Sequence, residues 1–114
     1  MEPAWDRVAC ARCHMLVSDP AFAAQLHTPA GEVLFFDDPG CLLLHRAEAR
    51  DPEARAFFHD SRGAHWLSEA EVGFVAVDET PMDHGLAAVA RAETPAALGL
   101  EAALGALGGA GPSP

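Results

Sequence analysis

The stretch from residue 22 to residue 41 leaves its backbone few options. An apolar-rich run, 22–28 (FAAQLHT), ends at Pro29-Ala30-Gly31, and a second run, 32–36 (EVLFF), follows at once. Two short β-prone runs around a Pro/Gly turn predict a hairpin. Asp37-Asp38-Pro39-Gly40 then ends the second run. Asp38 suits a helix N-cap, and Pro39 suits the first helical position, where its missing N–H costs nothing. The sequence therefore predicts a helix over 39–49 that buries Leu42, Leu43 and Leu44.

Beyond this unit, 54–59 (ARAFFH) predicts another strand, closed by Ser61-Arg62-Gly63. Ser68 and Glu71 have capping-box spacing, with room only for a short turn. Residues 72–77 (VGFVAV) form an almost continuous apolar run, the pattern of a strand buried on both faces. A loop over 78–83 precedes an expected helix over 84–92. Thr94-Pro95 opens a last helix, in which Leu100, Ala103, Leu104 and Leu107 repeat at i, i+3, i+4 and i+7. Gly108 and Gly109 end it, and the final residues are expected to be disordered.

Strands and helices mix without regular βαβ alternation, so the expected class is α+β: a small single domain of short antiparallel strands with two to three packed helices. A chain of 114 residues fits one domain. Its expected extent is 1–107, with 108–114 a flexible tail.

Composition narrows the function. Half the residues are hydrophobic, and the mean hydropathy is close to zero, which is globular rather than disordered composition. The net charge is −10, and all seven basic residues are arginines. Such a chain repels nucleic acid and anionic lipid, while remaining compatible with cations and basic partner proteins. No apolar run is long enough for a transmembrane segment. Residues 1–8 carry Glu2 and Asp6 and no apolar core, so they do not read as a signal peptide, and the expected compartment of the chain as written is the cytoplasm. Three cysteines are an odd number, which favours a metal or redox role over a disulfide framework.

The strongest chemical signal is Cys10-Ala11-Arg12-Cys13-His14-Met15. Two thiols three residues apart face one point when the chain turns, and thiolates prefer soft ions such as Cu(I), or Zn²⁺. C-x-x-C-H is also the signature of c-type haem attachment, with Cys10 and Cys13 as thioethers, His14 as an axial ligand and Met82 as a candidate for the other. A thiol–disulfide oxidoreductase is a further reading, although no strand of any length precedes Cys10. Half of a zinc site is a weaker one, because no second pair follows and His59 and His65 lack the usual spacing. Cys41, at the start of an apolar helix, reads as an ordinary core cysteine. The second unusual stretch is Thr80-Pro81-Met82-Asp83-His84-Gly85, where a thioether and an imidazole two residues apart follow the most apolar strand.

Several segments, in order, resemble the NosL family of copper chaperones. Cys10-Ala-Arg-Cys13-His14-Met15 matches the family's C-x-x-C-G-M, with His14 in place of Gly. Ala24-Gln25-Leu26 and Gly31 match a strand and turn. Phe36-Asp37-Asp38-Pro39-Gly40-Cys41 is similar to F-D-D-x-G-C before a helix. Phe57-Phe58-His59-Asp60, then Trp66-Leu67, Ala70 and Phe74-Val75, continue the pattern. Thr80-Pro81-Met82 with Gly85 and Ala87-Ala88 resembles T-P-M-G-x-G-x-x-A, with Asp83 in place of Gly. The resemblance spans roughly residues 10–93.

It implies a NosL-like fold and a metallochaperone that does no covalent chemistry, so not an enzyme. The cargo would be Cu(I), delivered to a copper acceptor protein or copper transporter, with no nucleic-acid partner and no small-molecule substrate. The implied ligands are Cys13, Met82 and His84, with Cys10 as a fourth or exchange ligand and Met15 and His14 in reserve. The family's usual setting is the periplasm or cell envelope.

Overall fold

The computed structural model describes residues 2–49, 53–82 and 84–107. The expected tail over 108–114, including the Gly108-Gly109 stop, lies outside them. The class is α+β, as expected. Strands β1 (Ala24–His27) and β2 (Val33–Phe36) form the predicted hairpin, with Ala24 opposite Phe36 and His27 opposite Val33. Gly31 supplies the turn with φ 90°, a conformation that is cheap only for glycine. Helix α1 (Pro39–Ala49) follows, then β3 (Arg55–His59), β4 (Trp66–Ser68), β5 (Val72–Ala76), β6 (Leu86–Ala90) and α2 (Leu100–Ala106). Short 3-10 turns at Pro20–Phe22 and Arg91–Glu93 flank β1 and follow β6.

Two antiparallel sheets result, a four-stranded one in the order β2-β1-β3-β4 and a two-stranded one of β5 and β6. The period of two along a strand puts Ala24, Leu26, Phe36, Ala56, Phe58 and Leu67 on one buried face of the larger sheet. Phe74 of β5 meets Phe58 edge-to-face with ring centroids 5.0 Å apart, which joins the two sheets through one aromatic pair. Leu42 and Leu43 of α1 and Ala103 of α2 close the core. Leu44 is only half-buried, short of the expected burial.

Two expectations are corrected. Residues 84–92 do not form a helix. Leu86–Ala90 is strand β6, paired with β5 from Val72 opposite Ala90 to Ala76 opposite Leu86. Alanine favours a helix intrinsically, but burial of Leu86 through Val89 against β5 outweighs that preference. The last helix starts at Leu100, not at Thr94-Pro95. Leu98 instead forms a bridge to the small sheet: Phe74 N–H donates to the Leu98 carbonyl at 2.9 Å and Leu98 N–H to the Phe74 carbonyl at 2.8 Å. Strand β5 is correspondingly buried only over Val72–Phe74, and Ala76 is exposed.

Candidate metal centre

Three chain segments meet at the start of α1. The first is the loop carrying Cys10 and Cys13. A bridge between Ala9 and Leu16 closes it, and Cys10 N–H donates to the Met15 carbonyl at 2.7 Å. The turn ends on His14, whose φ of 67° is left-handed. Histidine tolerates that region better than most residues, but glycine enters it without the cost to Cβ. The position where the NosL pattern has Gly is thus one where the backbone favours Gly. The loop is fastened to the large sheet by Ala11 N–H donating to the Phe35 carbonyl at 2.8 Å.

The second segment is Asp37, directly after β2. The third is Cys41, in the first turn of α1. Asp38 caps that helix, as expected: its Oδ1 accepts from Gly40 N–H at 2.9 Å. The ligand atoms of Cys10, Cys13, Asp37 and Cys41 all lie within 4.8 Å of one another. Asp37 Oδ1 accepts from the Cys13 thiol at 3.1 Å and from the Cys41 thiol at 3.7 Å. Cys10 Sγ accepts from Cys13 N–H at 3.5 Å and is hydrogen-bonded to the Cys41 thiol. Cys10 is 0% exposed, Cys41 1% and Asp37 4%, whereas Cys13 is half-buried. Cys13 is therefore the member of the group that solvent reaches.

The proton balance follows from this packing. The Cys41 hydrogen bond lowers the Cys10 pKa to about 4, against the opposing effect of burial. Burial pushes Cys13 up to about 12. Cys41 is raised well above the ordinary thiol range by its bond to Cys10 and by burial. Asp37 is raised to about 6, chiefly by burial. Cys10 is thus the thiol of the three that ionises most readily. All three sulfurs are free thiols.

The donor set fits a soft or borderline ion. Four ligand atoms around a tetrahedral ion with metal–sulfur bonds of about 2.3 Å stand roughly 3.8 Å apart, so these atoms need draw in by only about an ångström. A third sulfur joins the Cys10–Cys13 pair, and it comes from the residue that sequence reading assigned to the core. Asp37 was likewise read only as the end of a strand. The Asp37-to-Cys41 spacing across the helix start is the signal that could have exposed both, because Asp37, just before the Asp38 cap, and Cys41, in the first turn, flank the same helix end.

His84 is not one of these four residues, and the segment carrying Met82 and His84 meets the start of α1. Met82 N–H donates to Asp38 Oδ2 at 3.0 Å, so one carboxylate caps α1 and holds the Met82 backbone. The His84 side chain lies on Gly40: a Cβ there would fall 2.4 Å from its Cβ and Cγ. Met82 is 36% exposed and His84 is half-buried. The reserve residues His14 and Met15 are exposed, Met15 by 57%. His59 and His65 sit elsewhere, around Asp60 at the end of β3, with His65 Nε2 3.5 Å from Asp60 Oδ2.

Comparisons with family models, with curated proteins and with solved structures gave no match to this chain. Among the described residues, no helix is long and apolar enough to cross a membrane.

Proposed function

We propose that this domain is a Cu(I) metallochaperone of NosL type, carrying its ion at the Cys10/Cys13/Cys41 group and passing it to a copper acceptor protein or transporter. The observation that carries the reading is the convergence of three thiol sulfurs on one point, two of them fully buried. Cu(I) is a soft d¹⁰ ion satisfied by two to four thiolate, thioether or imidazole donors. Half-buried Cys13 is the natural point of receipt and release, while Cys10 and Cys41 hold the ion from within. Met82 and His84, held beside the helix start through Asp38 and Gly40, supply exchange ligands during transfer. No covalent chemistry is required, so the protein acts as a carrier rather than an enzyme. The net charge of −10 favours encounter with a basic partner. Full burial of Cys10 supports this reading over c-type haem attachment, which needs both thiols at a porphyrin edge.

One observation favours a second ion. Asp37 adds a hard oxygen to the three sulfurs, and Cys₃Asp is a donor set that suits Zn²⁺. The two ions are separated by titration of the reduced protein with Cu(I) and with Zn²⁺, each against a competing chelator. A Cu(I) carrier loses affinity on Cys13→Ser and Cys41→Ser and keeps it on Asp37→Asn. A zinc site loses affinity on all three. Unchanged Cu(I) affinity in both cysteine variants would sink the copper reading.

A further inference from the structure

The three sulfurs also define a thiol-oxidation site. Cys10 and Cys41 are sealed, at 0% and 1% exposure, while Cys13 is half-buried with its thiol directed at Asp37 Oδ1. An external reagent therefore meets Cys13 first. Directly behind Cys13 lies Cys10 in the same tight loop, with Cys13 N–H pointing at the Cys10 sulfur at 3.5 Å. Their ligand atoms lie within 4.8 Å of each other, so closing a sulfur–sulfur bond needs a shift of a few ångströms within one loop. Cys41 Sγ lies within the same distance, but it is carried by the first turn of α1 rather than by the loop. That turn is fixed by the Asp38 cap and by the His84 contact on Gly40.

We propose that Cys13 is an S-thiolation site for low-molecular-weight disulfides such as oxidised glutathione, resolved by Cys10 into a Cys10–Cys13 disulfide that blocks metal binding. In the first step Cys13 Sγ, losing its proton as it reacts, attacks one sulfur of the small disulfide. A Cys13–glutathione bond forms, the reagent's S–S bond breaks, and one glutathione leaves as thiolate and takes up the Cys13 proton. In the second step the Cys10 thiolate attacks Cys13 Sγ. The Cys10–Cys13 bond forms, the Cys13–glutathione bond breaks, and the second glutathione leaves as thiolate and takes up the Cys10 proton. The balance is two protein thiols oxidised, one small disulfide reduced and two glutathione thiols released. Cys41 is left as the single free thiol. The disulfide removes two of the three sulfurs from the metal group, so oxidation and ion binding exclude one another.

The thiol chemistry needs no metal, and only its antagonism to ion loading rests on the proposed copper function. The experiment treats the metal-free, reduced protein with oxidised glutathione and follows it by intact mass and peptide mapping. The expected product has lost two hydrogens, maps to Cys10–Cys13, and retains one alkylatable cysteine. Cys10→Ser is expected to stop at the Cys13–glutathione adduct, and Cys13→Ser to react at least tenfold more slowly than wild type. Oxidation of Cys13→Ser at the wild-type rate, or a disulfide that maps to Cys41, would overturn the proposal. Circular dichroism of each variant confirms that it is folded. A parallel arm starts from Cu(I)-loaded and from Zn²⁺-loaded protein. Protection from oxidation by either ion is the expected result. If the metal-free chemistry proceeds as described and Cu(I) gives no protection, the copper reading fails and the oxidation site stands.

Discussion

Asp37 is the residue on which the chemistry of the site turns. Its carboxyl accepts from two thiols and is 4% exposed, and its pKa is raised from 3.8 to about 6 by burial and by the nearby Cys10 charge. A raised pKa in an acid means that the folded protein holds the proton more tightly than the unfolded chain does. The stability this proton provides is complete below about pH 3.8 and is lost as the pH rises through about 6. Asparagine mimics the protonated form and still offers an Oδ1 acceptor. Metal-free Asp37→Asn is therefore expected to match wild type near pH 4 and to exceed it near pH 7 by up to roughly 3 kcal/mol. Urea unfolding under reducing conditions at the two pH values checks this, and an equal gap at both would show that the carboxyl is not held protonated. At this scale the sequence was half legible. Cys10 and Cys13 announce themselves by spacing, whereas Asp37 and Cys41 reach the same point only because the β2–α1 junction folds over the loop. His14 shows the converse: its left-handed φ of 67° costs on the order of 1 kcal/mol, and a pattern match saw only a missing glycine.

Among the elements, α1 does the most to organise the site. Its start was readable from Asp38-Pro39, and the hairpin before it from Pro29-Ala30-Gly31. What could not be read is that the helix start receives a segment from far along the chain. Gly40 has that role hidden in it, because only the absence of a Cβ lets the His84 side chain lie where it does. Gly40→Ala is expected to lower stability by about 1–2 kcal/mol, the overpacking cost less what alanine returns in helix propensity. It is also expected to weaken Cu(I) transfer to a competing chelator while leaving equilibrium loading of the cysteines intact. Chemical denaturation and stopped-flow exchange measure the two effects, and a variant as stable as wild type would contradict the contact. Strand β6 was illegible for a related reason. An alanine-rich run carries a helical preference, and only the presence of β5 alongside, buried from Val72 to Phe74, reverses it.

For the whole molecule, the candidate metal group brings residue 10 to residue 41 and so joins the N-terminal loop, the edge of the large sheet and the helix. An ion that binds only the folded chain stabilises it by mass action, by about 2.7 kcal/mol when its free concentration is a hundred times its Kd. For a domain of this size that is a rise of roughly 10 °C in Tm. Thermal unfolding with and without Cu(I) is expected to show it, and excess chelator is expected to reverse it. A Tm indifferent to both Cu(I) and Zn²⁺ would mean that the group does not hold an ion in the folded state. The α+β class and most strands were legible because short runs between turn residues leave little choice. The joining of two sheets through Phe58 and Phe74 was not, since each phenylalanine by itself predicts only burial.

The fastening of Ala11 to Phe35 has one more consequence. Strand β2 is the outer strand of its sheet, and an outer strand offers unpaired carbonyl and N–H groups to any passing chain. By occupying the Phe35 carbonyl, the thiol-bearing loop guards that edge. The same few residues that carry the sulfurs thus protect the molecule from strand-to-strand aggregation, and whatever lifts the loop from the sheet removes both protections together.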